Sequence, residues 1–376
     1  MVAEAQPLVG PDPLRRALTH GLAFWSIVGA VWLVVANALG HEFAFDVHYA
    51  FLPAAHEVVH GSSPYSGLDS QAVREGYAYL YPPLAAYLLA PLTLLPPLGA
   101  EILATLLVAA CVPATLRLLG VRDWRCYAVA VLWMPVIAGI QSANLTLPMV
   151  LGLALLWRYR QKTVVTALVA GVVVALKLFF WPVLLWLVAT RRYRSAALGA
   201  SASALFVLLP WGGIGFAGLR GYQHLLSTVA NREGPESYSL AALVHFVVPS
   251  WTAAIAVETL VGAGVLTLAL LAGRRGRDRD AFALAIVGIL ALTPLLETHY
   301  FAALLVVVAL YRPRLSVAWF LPLLMWGAPE PNNGSGLQRV HVLLVVVLTL
   351  VFVLKDWRPR FGRVLRLGAV RGAVSS

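Results

Sequence analysis

Long apolar runs, separated by short polar or cationic turns, recur from residue 21 to residue 354. A transmembrane helix needs about 20 predominantly apolar residues. The runs at 21–39, 98–119, 196–211 and 239–271 come near or exceed that length, the last with a break expected at Pro249. Further spans are expected at 127–140, 145–157, 281–296, 301–311, 315–326 and 340–354. The runs at 163–176 and 178–189 are shorter and need tilt, partial crossing or local bilayer thinning. The pattern predicts an all-α, polytopic integral membrane protein with about 10–12 transmembrane helices.

Two polar stretches interrupt the pattern. The first, within an expected outer loop at 40–97, opens with HEFAFDVHYA and ends in YPPLAAYLLAPLTLLPP. That ending suits a short interfacial helix started by prolines. The second is an expected outer loop at 212–238. The organisation is therefore a tail at 1–20, a membrane domain at 21–354 and a basic tail at 355–376. Residues 21–39 also mimic a signal peptide through Ala36-Asn37-Ala38, but the run exceeds the usual apolar region of about 7–15 residues and reads as a retained helix.

Composition sharpens this picture. The chain of 376 residues is 60% hydrophobic and 12% charged, where soluble proteins carry about 25% charged residues. The net charge of +11 comes from clusters between apolar runs, which hold 23 of the 28 Lys and Arg. All these clusters fit on one face of a membrane, which the positive-inside rule makes the cytoplasm. The charge is a topology signal and excludes a nucleic-acid reading. Two cysteines, Cys111 and Cys126, allow neither a disulfide framework nor a zinc pattern. A Walker motif is absent.

Nine of the 17 acids fall on the expected outer side, so any chemistry faces away from the cytoplasm. Asp46 leads, between Phe45 and Val47 just beyond the first span. A partly desolvated carboxylate there can act as a general base; the alternative is a solvated loop acid. Gln141 and Asn144 occupy an outer corner, where an amide can cap a helix or bind a sugar hydroxyl; the sequon Asn144-Leu145-Thr146 lies too close to the membrane for glycosylation. Lys177 is the sole charge between Lys162 and Arg191. A lipid phosphate could pair with it, or it snorkels to headgroups. Glu297, His299 and Tyr300 form ETHY at another outer turn, as a proton- or phosphate-handling group or as part of an aromatic belt. Glu101 and Glu258, within apolar segments, suit packing or helix ends. Transport remains open, although paired intramembrane charges and inverted repeats are not evident.

Five segments in order resemble glycosyltransferase family 87, within the GT-C membrane glycosyltransferases. They are FDVHYAFLPAAHEVVHGSSPY, YLYPPLAAYLLAPLTLLP, GIQSANLTLPMVLGLAL, VALKLFFWPVLLWLVATRRYR and ETHYFAALL. Two departures accompany them. Glu236-Ser237-Tyr238-Ser239-Leu240 stands where the family shows Asn-x-Ser-Leu, and LTPLLETHY replaces a segment with Ser-Pro and Trp. The resemblance implies a GT-C fold and transfer of mannose from polyprenyl-phosphate mannose to a glycolipid or glycan, with inversion and without a metal or cofactor. It implies Asp46 as base, Lys177 and His299 at the donor phosphate, and His48, Tyr49, Tyr81, Gln141, Asn144 and Tyr300 around the substrates. The expected setting is the plasma membrane, with both termini cytoplasmic, the site extracytoplasmic, and membrane lipids but no nucleic acid as partners. Another polyprenyl-phosphate sugar, arabinose or glucose, or a lipid or solute transporter, is the alternative.

Overall fold

The fold comes from a computed structural model, which describes residues 43–327 and 335–354, together with residues 20, 21, 24, 25, 28 and 29. Most of the expected first span, both tails and the turn at 328–334 lie outside the described residues. The chain is an all-α, polytopic membrane protein.

Fifteen helices carry the architecture among the described residues: α1 (Leu52–Val59), α2 (Leu84–Leu89), α3 (Pro97–Leu118), α4 (Trp124–Ala130), α5 (Met134–Gln141), α6 (Thr146–Tyr159), α7 (Thr163–Leu176), α8 (Pro182–Ala189), α9 (Tyr193–Gly213), α10 (Leu219–Glu233), α11 (Leu240–Val247), α12 (Trp251–Arg274), α13 (Asp278–Ala291), α14 (Leu304–Tyr311) and α15 (Gly336–Leu354). Four of them, α3, α9, α12 and α15, are long and apolar enough to cross a membrane, or five spans if the bent pair α4–α5 is counted as one. Six further apolar stretches have 10–17 residues. The expectation of about 10–12 spans counts such short stretches as crossings.

Three expected elements take a different form. The span at 127–140 is broken into α4 and α5, bent by 66°. Pro135 lacks the N–H that would continue the ladder, and its ring excludes the carbonyl one turn back, so the helix restarts at Met134. The span at 239–271 breaks at 248–250, beside Pro249 as expected, into α11 and α12. The second outer loop is largely helical. Leu225 and Val229, four residues apart on α10, are buried against Val73 and Ala78 of the first outer loop. Gly218 starts α10 from a left-handed conformation (φ 78°), and a Cβ there would meet Ser63 Oγ at 2.5 Å.

The cationic turns meet at one end of the bundle. Asp278 accepts bonds from Arg160 (3.2 Å) and Arg192 (2.7 Å), so the turns before α7 and after α8 share one carboxylate. Helices α7 and α8 therefore run out and back as a hairpin with Lys177 at its tip. Two residues further along α13, Asp280 accepts from Tyr311 Oη. Asp123 binds Arg125 at 2.8 Å and accepts from the Leu315 amide at 3.2 Å. Its hydrogen bond with Arg125 is the main cause holding the Asp123 carboxyl down at about 2. The hairpin packs closely on α9: a Cβ on Gly171 would lie 2.6 Å from Ala202 Cβ. Small residues at such crossings let helix backbones approach.

Candidate active site

At the opposite end from Asp278, polar side chains from five segments converge. Two backbone bonds fix the first pair of segments: the Ala44 amide donates to Gln141 O (2.8 Å) and the Asp46 amide to Ser142 O (3.0 Å). Flanking them, Ala44 (φ 53°) and Ala143 (φ 51°) are left-handed, which an L-residue with a Cβ adopts only at a cost of about 1 kcal/mol or more. That local strain turns the chain so that Asp46 and Asn144 face each other.

Asn144 is the hub. Its Nδ2 donates to Asp46 Oδ2 and, at 3.2 Å, to Tyr81 Oη. Its Oδ1 accepts from Thr146 N (2.9 Å), Thr146 Oγ1 (2.8 Å) and Lys177 Nζ (3.3 Å). Lys177 also donates to Thr146 Oγ1 at 3.1 Å. Its amine lies 4.1 Å from the Tyr300 ring centroid, 5.1 Å from that of Tyr81 and 5.7 Å from that of Phe179, a cation–π cage of three rings. Lys177 is buried because the chain leaves the helix there (φ −138°, ψ 102°) and turns inward at the hairpin tip.

Tyr81 is held by an aromatic brace. Its segment is extended, and tyrosines grip the backbone: Tyr65 Oη donates to Tyr81 O (2.9 Å), Tyr222 Oη to Leu80 O (2.9 Å) and Tyr79 Oη to Pro82 O (2.7 Å).

The fifth segment brings Glu297, His299 and Tyr300. His299 Nδ1 sits 3.2 Å from Glu297 Oε2, and its ring stacks on Tyr300 at 4.5 Å. His299 Nε2 is buried and has no hydrogen-bond partner. Such an orphan calls for a ligand or water, since an unmet buried polar group costs about 1–3 kcal/mol. Burial pushes the Asp46 carboxyl up from its ordinary value, while the Asn144 bond and the Lys177 charge pull it back. Burial, and next the Asp46 charge, push the Glu297 carboxyl up too, against the pull of Lys177.

A family model, glycosyltransferase family 87, matches residues 79–298. The chain belongs to that family. Comparison with curated proteins and with solved structures gave no match. As a family 87 member the protein is a glycosyltransferase, and so uses a sugar donor and an acceptor. The matched region contains Tyr81, Gln141, Asn144, Lys177 and Glu297; Asp46, His48, Tyr49, His299 and Tyr300 lie outside it.

Of the residues singled out in the sequence, the structure brings Asp46, Tyr81, Asn144, Lys177, His299 and Tyr300 together. Gln141 contributes its backbone carbonyl to the Ala44 pairing. His48 turns instead to Glu101, with Nδ1 2.6 Å from Oε1. Tyr49 is 43% exposed and stacks with Phe45 and Tyr77 on the surface side of the same turn. Glu101, in the first turns of α3, suits its expected place at a helix end. Thr146 was not foreseen as a site residue; its only signal was membership of the sequon, and both Asn144 and Thr146 are buried. No group of three or more His, Cys, Asp or Glu that could hold a metal ion occurs among the described residues.

Proposed function

We propose that this family 87 glycosyltransferase moves a mannosyl residue from a polyprenyl-phosphate-mannose donor to a glycolipid or glycan acceptor, with inversion and without a metal or cofactor. One observation carries this reading: a single amide, Asn144, touches both the Asp46 carboxylate and the Lys177 amine. A proton acceptor and a cation thus share one partly buried cluster, the combination that a hydroxyl attack on a sugar phosphate requires.

In this mechanism the acceptor oxygen forms a bond to the anomeric carbon. The bond from that carbon to the phosphate oxygen breaks, and its electron pair leaves with the lipid phosphate. Asp46 takes the hydroxyl proton through the oxygen that Asn144 does not occupy. The leaving phosphate meets N–H donors from Lys177 and His299, and His299 Nε2 is the buried nitrogen still lacking a partner. Glu297 at Nδ1 orients the ring. Tyr81 and Tyr300 flank the Lys177 amine as aromatic faces against which sugar and lipid can rest. The end bearing Asp278 and both termini face the cytoplasm of the plasma membrane, and the Asn144 end faces outward. Arabinosyl or glucosyl phosphate lipids are competing donors.

The test is transfer by the purified protein with synthetic polyprenyl-phosphate mannose, arabinose and glucose and a panel of membrane glycolipids. Asp46→Asn keeps folding and donor binding and loses transfer by about 10²–10⁴-fold. Full turnover in that variant would remove Asp46 from the role of base, and transfer from a different donor alone would overturn the mannose assignment.

A further inference from the structure

One buried cation has no part in the scheme above. Arg339 lies in the first turns of α15, 8% exposed, far along the chain from every site segment. A cation in that position opposes the helix dipole, and its burial is costly unless its donors are met. They are met by backbone. Arg339 Nε donates to Ser237 O at 2.9 Å, and Nη2 donates to Pro235 O.

The segment it grips is keyed onto the site. The Tyr238 amide, the next residue, donates to Leu296 O at 2.7 Å, immediately before Glu297. Ser237 Oγ approaches Pro294 O at 3.5 Å, and the buried Tyr238 ring meets Phe301 edge-on at 6.5 Å. The turn at 294–301, which carries Glu297, His299 and Tyr300, is thus held from behind at both ends by the 234–239 segment. That segment is held in turn by one guanidinium.

We infer that Arg339 is a positioning residue for transfer: through Ser237 and Tyr238 it sets the Glu297–His299 pair and so the nitrogen offered to the donor phosphate. The inference rests on the reading of His299 as a phosphate donor. A planar fork spanning two carbonyls is a task for arginine that lysine performs with one bond at most. Misplacing a catalytic group by 1 Å can cost about 10²-fold in rate, so a loosened turn registers in donor use.

The experiment compares Arg339→Lys, Arg339→Gln and His299→Ala by steady-state kinetics, varying polyprenyl-phosphate mannose and acceptor separately, with melting temperature measured alongside. Arg339→Gln is expected to lower kcat/KM for the donor by about 10–100-fold, chiefly through donor KM. Acceptor KM stays unchanged, and Arg339→Lys recovers part of the loss. A purely structural arginine would lower the melting temperature and the active fraction without moving donor KM, and that result overturns the inference. So does wild-type donor KM in a folded Arg339→Lys, should the glutamine variant not fold. If His299→Ala itself leaves donor KM unchanged, the phosphate reading fails first; if only the Arg339 variants leave it unchanged, the positioning role alone fails.

Discussion

Replacing Asn144 by alanine tests the hub directly. The side chain donates to Asp46 and Tyr81 and accepts from Thr146 and Lys177. A hydrogen bond to a charged group is worth about 1.5–3 kcal/mol. Each 1.36 kcal/mol between protonation states is about one pKa unit. The Asn144 bond favours the ionised carboxylate and works against the upward push of burial. Its removal therefore raises the Asp46 pKa further. A base must be ionised, so transfer falls as pH drops through that pKa. The acidic limb of kcat/KM is expected above the ordinary aspartate value in the native protein, and further upward in Asn144→Ala. Loss of the acceptor for Thr146 N at the start of α6 costs about 1 kcal/mol of stability, which a melting curve detects. Thr146→Val is the control. It takes a hydroxyl from Lys177 but leaves the amide on Asp46, so its acidic limb stays in place. An Asn144→Ala protein that still transfers sugar with an unmoved acidic limb would refute the coupling.

Two further outcomes are expected. Lys177→Ala removes a charged donor and raises donor KM by about 10–100-fold, with acceptor KM unchanged; equal donor use by the variant counts against the phosphate role. Gly171→Leu drives a side chain into Ala202 Cβ at 2.6 Å and the Ala202 backbone at 3.2 Å. Overpacking of this kind costs about 1–3 kcal/mol, so the melting temperature in detergent drops, and an unchanged value would mean that α7 and α9 separate freely there.

Membrane character was legible because a run of apolar residues reports burial in lipid or core whatever its partners. The hairpin limits were legible for a local reason: cations at 158–162 and 191–194 mark its ends, and Lys177 marks its tip. The kink before Met134 could be anticipated only from Pro135, because the flanking residues are uniformly apolar. Helix α10 was missed because its composition is polar and only Leu225 and Val229 are buried, so it reads as a loop beside the membrane runs. In the site, Asp46, Lys177 and ETHY stood out as polar residues in apolar surroundings. Thr146 and Arg339 did not: a threonine beside an amide and an arginine in a terminal helix look ordinary, and only the tertiary contacts give them partners. His48 shows the converse. Adjacency to Asp46 along the chain placed it with the substrates, whereas the helical turn points it at Glu101.

The hairpin has a geometric corollary. Helix α7 has 14 residues, which at about 1.5 Å each reach roughly 21 Å from the level of Asp278. The hydrocarbon slab is about 30 Å thick. With the Asp278 end at one interface, as in the proposed topology, the hairpin tip and the cluster hung on it fall short of the other interface. For the lipid-linked donor proposed here, a long isoprenoid chain can bring its head group to that depth sideways from the lipid.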